Sequence, residues 1–316
     1  MGKYRLGDII CMTRKSLSIT QEKLSEGICS VETLSRVENG KQNPSRDTYE
    51  LLMERMGRSR ERSYSMMSIS DYDILEKMKL FEDHINLYEY NRAEKILDEI
   101  KKTLINTNLN KQYLLKSETI INYRLNRITA EEFLERLEKA ILLTIPQYGK
   151  ISLAGWPLNF HEVGLMLNIS SAYAQNKNYI KAIDILEDAN SVMKQSYMDE
   201  QQRALLQATI SNNLSKWYGL IGEYEKAIEV AKEGIMVCKR HRLGHVLPNL
   251  IYNLVWNKEQ LIDKGVLPPE RKKECISYLK QTYYLACAMQ QPFIEQFMIE
   301  HIKTVYGDIQ ANLIIY

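Results

Sequence analysis

The stretch Ile19-Thr20-Gln21-Glu22-Lys23-Leu24-Ser25-Glu26-Gly27-Ile28-Cys29-Ser30-Val31-Glu32-Thr33-Leu34-Ser35-Arg36-Val37-Glu38-Asn39-Gly40-Lys41 decides how the start of the chain folds. Thr20 offers a hydroxyl N-cap to a helix beginning at Gln21, with Leu24 as its core anchor. Gly27 permits a tight turn, and Ser30 caps a further helix, Val31 to Asn39, on which Leu34 and Val37 share the buried face. Asn39-Gly40 supplies the left-handed chemistry that ends a helix. Upstream, Leu6 to Arg14 has the pattern of a first amphipathic helix.

With Pro44-Ser45 behind it, this order of cap, glycine, core and terminator resembles the Cro/repressor-type helix-turn-helix. The resemblance implies that the helix from Val31 enters the major groove of double-stranded DNA. Val31, Glu32, Thr33 and Arg36 then become the base readers. Arg36 suits guanine, Glu32 the cytosine amino group, and Val31 or the Thr33 methyl a thymine methyl. Glu32 has a second reading, because an acid in the first turn of a helix is favoured by the macrodipole without any DNA. Gln21, Ser30, Asn39 and Lys41 fall where the motif meets phosphate, and contribute affinity rather than specificity. The resemblance also implies a homodimer on a palindromic operator.

Charge agrees with that placement. Residues 1–62 hold 12 Lys+Arg and 9 Asp+Glu, so 12 − 9 = +3, while the remainder holds 30 and 31, or −1. A basic bias of this size suits a polyanion, and equally an ordinary solvated face. The five cysteines are scattered without a CxxC pair, the pattern of reduced cytoplasmic thiols. No apolar run approaches the roughly 18 residues of a membrane span, and the N-terminus lacks a signal-peptide core. A cytoplasmic protein without membrane association is expected.

Apolar residues recur at helical spacing almost throughout and strand-like alternation is missing, so the fold class is all-α. The texture breaks at Gly57-Arg58-Ser59-Arg60-Glu61-Arg62-Ser63. Residues 1–63 are accordingly assigned to the DNA-binding domain, 64–72 to a linker and 73–316 to a second domain. Helical periodicity resumes from Met66 to Phe81.

Inside the second domain two segments superimpose without gaps. Asn168, Tyr173, Tyr179 and Ala182 match Asn213, Tyr218, Tyr224 and Ala227, the later residues lying 5, 11 and 14 positions after each Asn. Weaker copies occur at Glu89-Tyr90-Asn91-Arg92-Ala93 and from Asn253. The pattern resembles the tetratricopeptide repeat, whose small residues let paired helices approach closely. The Asn spacings of 45 and 40 residues exceed the consensus of roughly 34, so longer helices are expected. About five helix pairs in a solenoid follow, the last near Ile276–Met289 and Phe293–Ile309. Three stretches depart from the pattern: 111–143, Gly155-Trp156-Pro157-Leu158, and the turn at Gly265-Val266-Leu267-Pro268-Pro269.

A repressor-type helix-turn-helix followed by divergent tetratricopeptide-like repeats is similar to the peptide-pheromone-responsive regulators of the PlcR/Rgg type. That similarity implies a short signalling peptide (quorum sensing) in the groove of the solenoid, clamped through its backbone by inner-helix asparagines. An Asn side chain both donates and accepts, so it suits an extended peptide backbone. Asn168, Asn213 and Asn253 hold equivalent positions, and Ser171, Asn212, Lys216, Tyr252 and Trp256 fall on the same faces. Lys216 suits a peptide carboxylate. The other reading keeps the asparagines for neighbouring backbone and Trp256, like Trp217, for core between repeats.

No catalytic motif is present: there is no G-x-G-x-x-G, Walker loop or G-x-S-x-G, and the five histidines lack metal spacing. The sequence therefore predicts neither an enzyme nor a cofactor or metal protein. Two alternatives stay open: repeats that bind a folded protein partner, and repeats that only dimerise.

Overall fold

The computed structural model describes residues 6–56, 72–104, 108–150, 158, 160–193 and 200–308. Among them the regular elements are all helical, with no strand. The chain forms two compact units, residues 1–202 and 203–316. The break at Gly57–Ser63 lies outside the described residues, as does the linker apart from Tyr72.

The first unit opens with four short helices, α1 (Leu6–Ser16), α2 (Gln21–Ser25), α3 (Val31–Glu38) and α4 (Arg46–Arg55). Thr20, Ser30 and Ser45 each accept a hydrogen bond from the backbone N–H three residues on, so the expected caps at Thr20 and Ser30 recur at a third helix. Gly40 takes φ +68° and Lys41 N–H returns to the Arg36 carbonyl at 2.8 Å, closing α3 in the expected left-handed manner. Ile10, Leu24, Leu34, Val37 and Leu52 bury completely or nearly so in one cluster. At about 1.5–3 kcal/mol for each fully buried side chain, that cluster holds the four helices together. Gly7 lies so close to the Val37 carbonyl that a Cβ there would collide with backbone, which makes α1 and α3 contact through main chain.

The unit continues with α5 (Tyr72–Asn86), α6 (Tyr90–Thr103), α7 (Asn108–Arg124), α8 (Ala130–Leu142), α9 (Phe160–Gln175) and α10 (Tyr179–Met193). The second contains most of α11 (Glu200–Leu220) and all of α12 (Tyr224–His241), α13 (Leu247–Asp263), α14 (Lys272–Ala288) and α15 (Pro292–Tyr306). Helices α5 to α14 are five successive antiparallel pairs, the number expected. The final helices lie where the periodicity put them, although α15 follows the fifth pair instead of completing it.

One turn chemistry recurs within these pairs. Tyr88, Asn126, Lys177, Gly222 and Gly265 all have positive φ. In each case the next N–H bonds a carbonyl five residues back, as Glu89 to His84, Arg127 to Asn122 and Asn178 to Tyr173. This six-to-one closure satisfies a helix-end carbonyl and reverses the chain within a few residues. Ala93, Ala182 and Ala227, the repeat alanines, are fully buried where paired helices approach. The stretch 111–143 still forms a pair. Its periodicity is masked by interior polar residues such as Gln112, which donates to the Ala140 carbonyl and the Thr144 hydroxyl. Gly265 closes α13 normally, and a short 3-10 turn, Pro269–Arg271, leads into α14. Leu158 is buried, while Gly155–Pro157 lie outside the described residues. Among the described residues no helix is long and apolar enough to cross a membrane.

Candidate DNA-reading helix and repeat asparagines

Leu34 and Val37 tie α3 to the core, and at about 100° per residue Glu32 and Arg36 then point directly away from it. Both are exposed, four residues apart on one ridge. Val31 and Thr33 flank that ridge and are half-buried. Ser30, Asn39 and Lys41 are exposed at the two ends of the helix. The Ser30 hydroxyl accepts from Thr33 N–H at 3.1 Å and lies 3.1 Å from the Thr33 hydroxyl. Glu32 is held below the usual carboxylate range by its own backbone N–H and by Ser30, which is the helix-start role open to it from sequence.

Gln21 has a structural partner that sequence does not reveal. Its amide donates to Glu38 Oε2 at 2.7 Å, on the same carboxylate that takes two bonds from Arg14. Asn39 likewise donates to the Ser35 carbonyl at 2.8 Å, closing the end of α3. Both side chains thus brace the helix that carries the candidate readers.

A contact missed in sequence joins the helix-turn-helix to the repeats inside the first unit. Arg55, at the end of α4, donates to the Thr144 carbonyl at 2.8 Å and pairs with Glu162 of α9 at 3.1 Å, both side chains being buried. Gly27, with φ +72°, lies against the same Thr144 carbonyl, and Asn108 donates to the Gly27 carbonyl at 3.3 Å. The only local hint of this contact was a Glu54-Arg55 pair ending an amphipathic helix.

The candidate peptide residues fall in both units. Asn168 and Ser171 stand half-buried on α9. In the second unit, Asn253 of α13 is 8% exposed and its amide reaches the Asn212 carbonyl at 2.9 Å, Asn212 Oδ1 at 3.1 Å and Ser215 Oγ at 3.1 Å. Asn212 donates to Asn213 Oδ1 at 3.4 Å, and Lys216 is exposed one turn on. Tyr252 packs edge-on against Phe297 and His301 of α15, with ring centroids 4.9 and 5.2 Å apart. Trp256 meets Tyr224 edge-on and covers Gly219, where no Cβ would fit. His241 and His245 do not share a helix, because α12 ends at His241 and Arg242 adopts φ 56°.

Residues 12–62 match the helix-turn-helix family. No curated protein sequence matches the chain. Among solved structures it is similar to Bacillus thuringiensis PlcR in complex with the peptide PapR7 and DNA, at 20% identity over 94% of this chain and 99% of that one, TM-score 0.56. It is similar to the apo form of the same PlcR at 17% identity over 94% and 98%, TM-score 0.58. It is also similar to the apo competence regulator ComR from Streptococcus vestibularis at 14% identity over 95% and 97%, TM-score 0.53. The chain therefore carries a helix-turn-helix segment at residues 12–62, and along nearly its whole length it has the fold of PlcR and ComR.

Proposed function

We propose that this chain is a cytoplasmic transcriptional regulator whose repeats bind a short signalling peptide and thereby control a dimer on a palindromic DNA site. Residues 1–63 act as the reading domain, 64–72 as the linker and 73–316 as the sensing and dimerising domain. The observation that carries the reading is the outward ridge of Glu32 and Arg36 on α3, backed by buried Leu34 and Val37. A side chain aimed away from the core at a helix surface is available to base edges in the major groove. Val31 and Thr33 complete the reading set, and Ser30, Asn39 and Lys41 supply backbone contacts. Gln21 acts chiefly through Glu38.

For the peptide, the reading is supported within the second unit by half-buried Asn212 and Asn213 beside exposed Lys216. Asn168 and Ser171, half-buried on α9, are proposed for the same role by their matching repeat positions. Asn253, Tyr252 and Trp256 fit this scheme as supports, since each already packs or bonds within the second unit. Peptide binding biases the arrangement of the reading heads, and so the affinity for DNA.

A reading in which the repeats take a protein partner, or only dimerise, draws on Phe293 and Phe297 of α15, 71% and 41% exposed. Selection of bound genomic DNA by the full chain, with and without culture-derived peptides, separates these. A palindromic site whose occupancy changes with peptide supports the sensor. A site indifferent to peptide supports the alternative, and no enriched site overturns both.

A further inference from the structure

A cavity of about 490 Å3 opens among α8, α9, α10 and the Tyr148–Lys150 turn that follows α8. That volume lies in the range of small-molecule sites, about 300–1,000 Å3. Its floor is apolar, with Met166 and Ile185 both buried. Around the floor stand two phenols, Tyr148 and Tyr173, and four charges, Glu138, Asp188, Lys150 and Lys181. The signs balance two against two. The Tyr173 hydroxyl donates to Glu138 Oε1 at 2.7 Å, which anchors that carboxylate in the wall.

Burial and acidic neighbours act together on three of these groups. Burial, then the Glu138 charge, pushes the Tyr148 phenol above its ordinary value. Burial and the bond to Glu138 push Tyr173 up to about 12. Burial and neighbouring Asp184 raise Asp188 against the opposing pull of Lys181. A ligand cation near Glu138 and Asp188 would offset the neighbouring negative charge that adds to burial at all three, and tyrosine faces add a cation–π contribution.

The cavity is also distinct from the asparagine face. Met166 and Tyr173 are nearly two turns apart on one side of α9, and at about 100° per residue Asn168 lies roughly 140° around the helix from Tyr173. A ligand in this cavity therefore leaves the asparagine face of α9 untouched.

We propose that this cavity binds a small zwitterion carrying an apolar stem, either a free amino acid or a short peptide with free termini. The ammonium sits against Glu138 and Asp188, the carboxylate against Lys150 and Lys181, and the stem on Met166 and Ile185. A simple anion would meet the carboxylates of Glu138 and Asp188, and a polyamine would meet two lysines. Only a ligand with both charges satisfies both sides of the wall.

The test is calorimetric titration of the full chain with each of the twenty free amino acids and with leucyl-leucine, followed by N-acetylated and C-amidated forms of whichever binds. Saturable binding by at least one zwitterion is expected, with each blocked form at least about tenfold weaker. A free amino acid that binds identifies a metabolite source, and binding by the dipeptide alone identifies a peptide terminus. Glu138→Gln and Lys181→Met should each weaken binding by a similar factor. Lys181 is exposed, so its variant keeps the test open if Glu138→Gln fails to fold. No binding by any zwitterion, equal binding of blocked forms, or binding that survives Lys181→Met but is lost in Asn213→Ala would each overturn the proposal.

Discussion

Arg14 and Glu38 form a two-point bridge between α1 and the end of α3, Nε to Oε1 at 2.6 Å and Nη2 to Oε2 at 2.7 Å. The Glu38 side chain is 3% exposed, and Gln21 adds a third donor at 2.7 Å. Burial alone would raise the Glu38 carboxyl, but the bonds from Arg14 and Gln21 hold it below the usual range. A lowered folded-state value stabilises above the ordinary carboxylate range, and that stability is lost as pH falls through the folded value. Glu38→Gln should therefore cost about 3 kcal/mol near neutral pH and much less in acid. Urea denaturation at about pH 7 and about pH 3 checks this; an equal loss at both would show that charge is not what braces the helix.

Arg36, on the outer side of α3, and Lys41, beyond its end, should behave differently. Replacing Arg36 with Ala should relax base preference at one position by about 1–3 kcal/mol and leave the melting temperature unchanged. Lys41→Ala should weaken binding to all sequences alike and reduce the salt slope by about one. Affinity measured on a matched and a single-mismatch duplex across salt concentrations distinguishes them. Uniform weakening by Arg36→Ala would remove it from the readers.

Beside the Arg55–Glu162 pair, burial and the Glu162 charge push Glu54 up to about 8, with Arg55 opposing. Between an ordinary carboxyl near 4.5 and that raised value, the folded chain holds a proton that the unfolded chain has released. Stability should accordingly fall as pH rises through this window. The uncharged Glu54→Gln should raise the melting temperature at about pH 8 and change it little at about pH 5. A shift of equal size at both values would place the effect in packing.

Asn253 and Asn213 separate support from recognition. Asn253→Ala removes a buried amide that bonds Asn212 and Ser215, and should cost about 1–3 kcal/mol of stability without any ligand. Asn213→Ala should leave stability within about 0.5 kcal/mol and lower peptide affinity about tenfold. Thermal melts beside peptide titrations decide this, and a stability loss in Asn213→Ala with unchanged affinity would reverse the assignment.

The helices, their caps and the outward face of α3 were legible in the sequence because each is set by bonds within a few residues. Ser30 caps α3 through an N–H three positions away, Gly40 closes it through Lys41, and the spacing of Leu34 and Val37 aims Glu32 and Arg36 outward. The repeat alanines were legible for a related reason, since close helix approach needs a small residue at a fixed place in every copy. Other features depended on which helices meet. Arg55 finds Glu162 across 107 positions, Asn253 turns to Asn212 across 41, and Gln21 turns to Glu38 across 17. The charged cavity at Glu138, Tyr173 and Asp188 gathers residues from three helices and a turn. No local pattern encodes such partners, because a buried polar group takes whichever complementary group the packed helices bring within reach, and that choice exists only after the apolar faces have closed. The outward ridge of Glu32 and Arg36 on α3 was thus a property of sequence, while the braces that hold it belong to the tertiary structure.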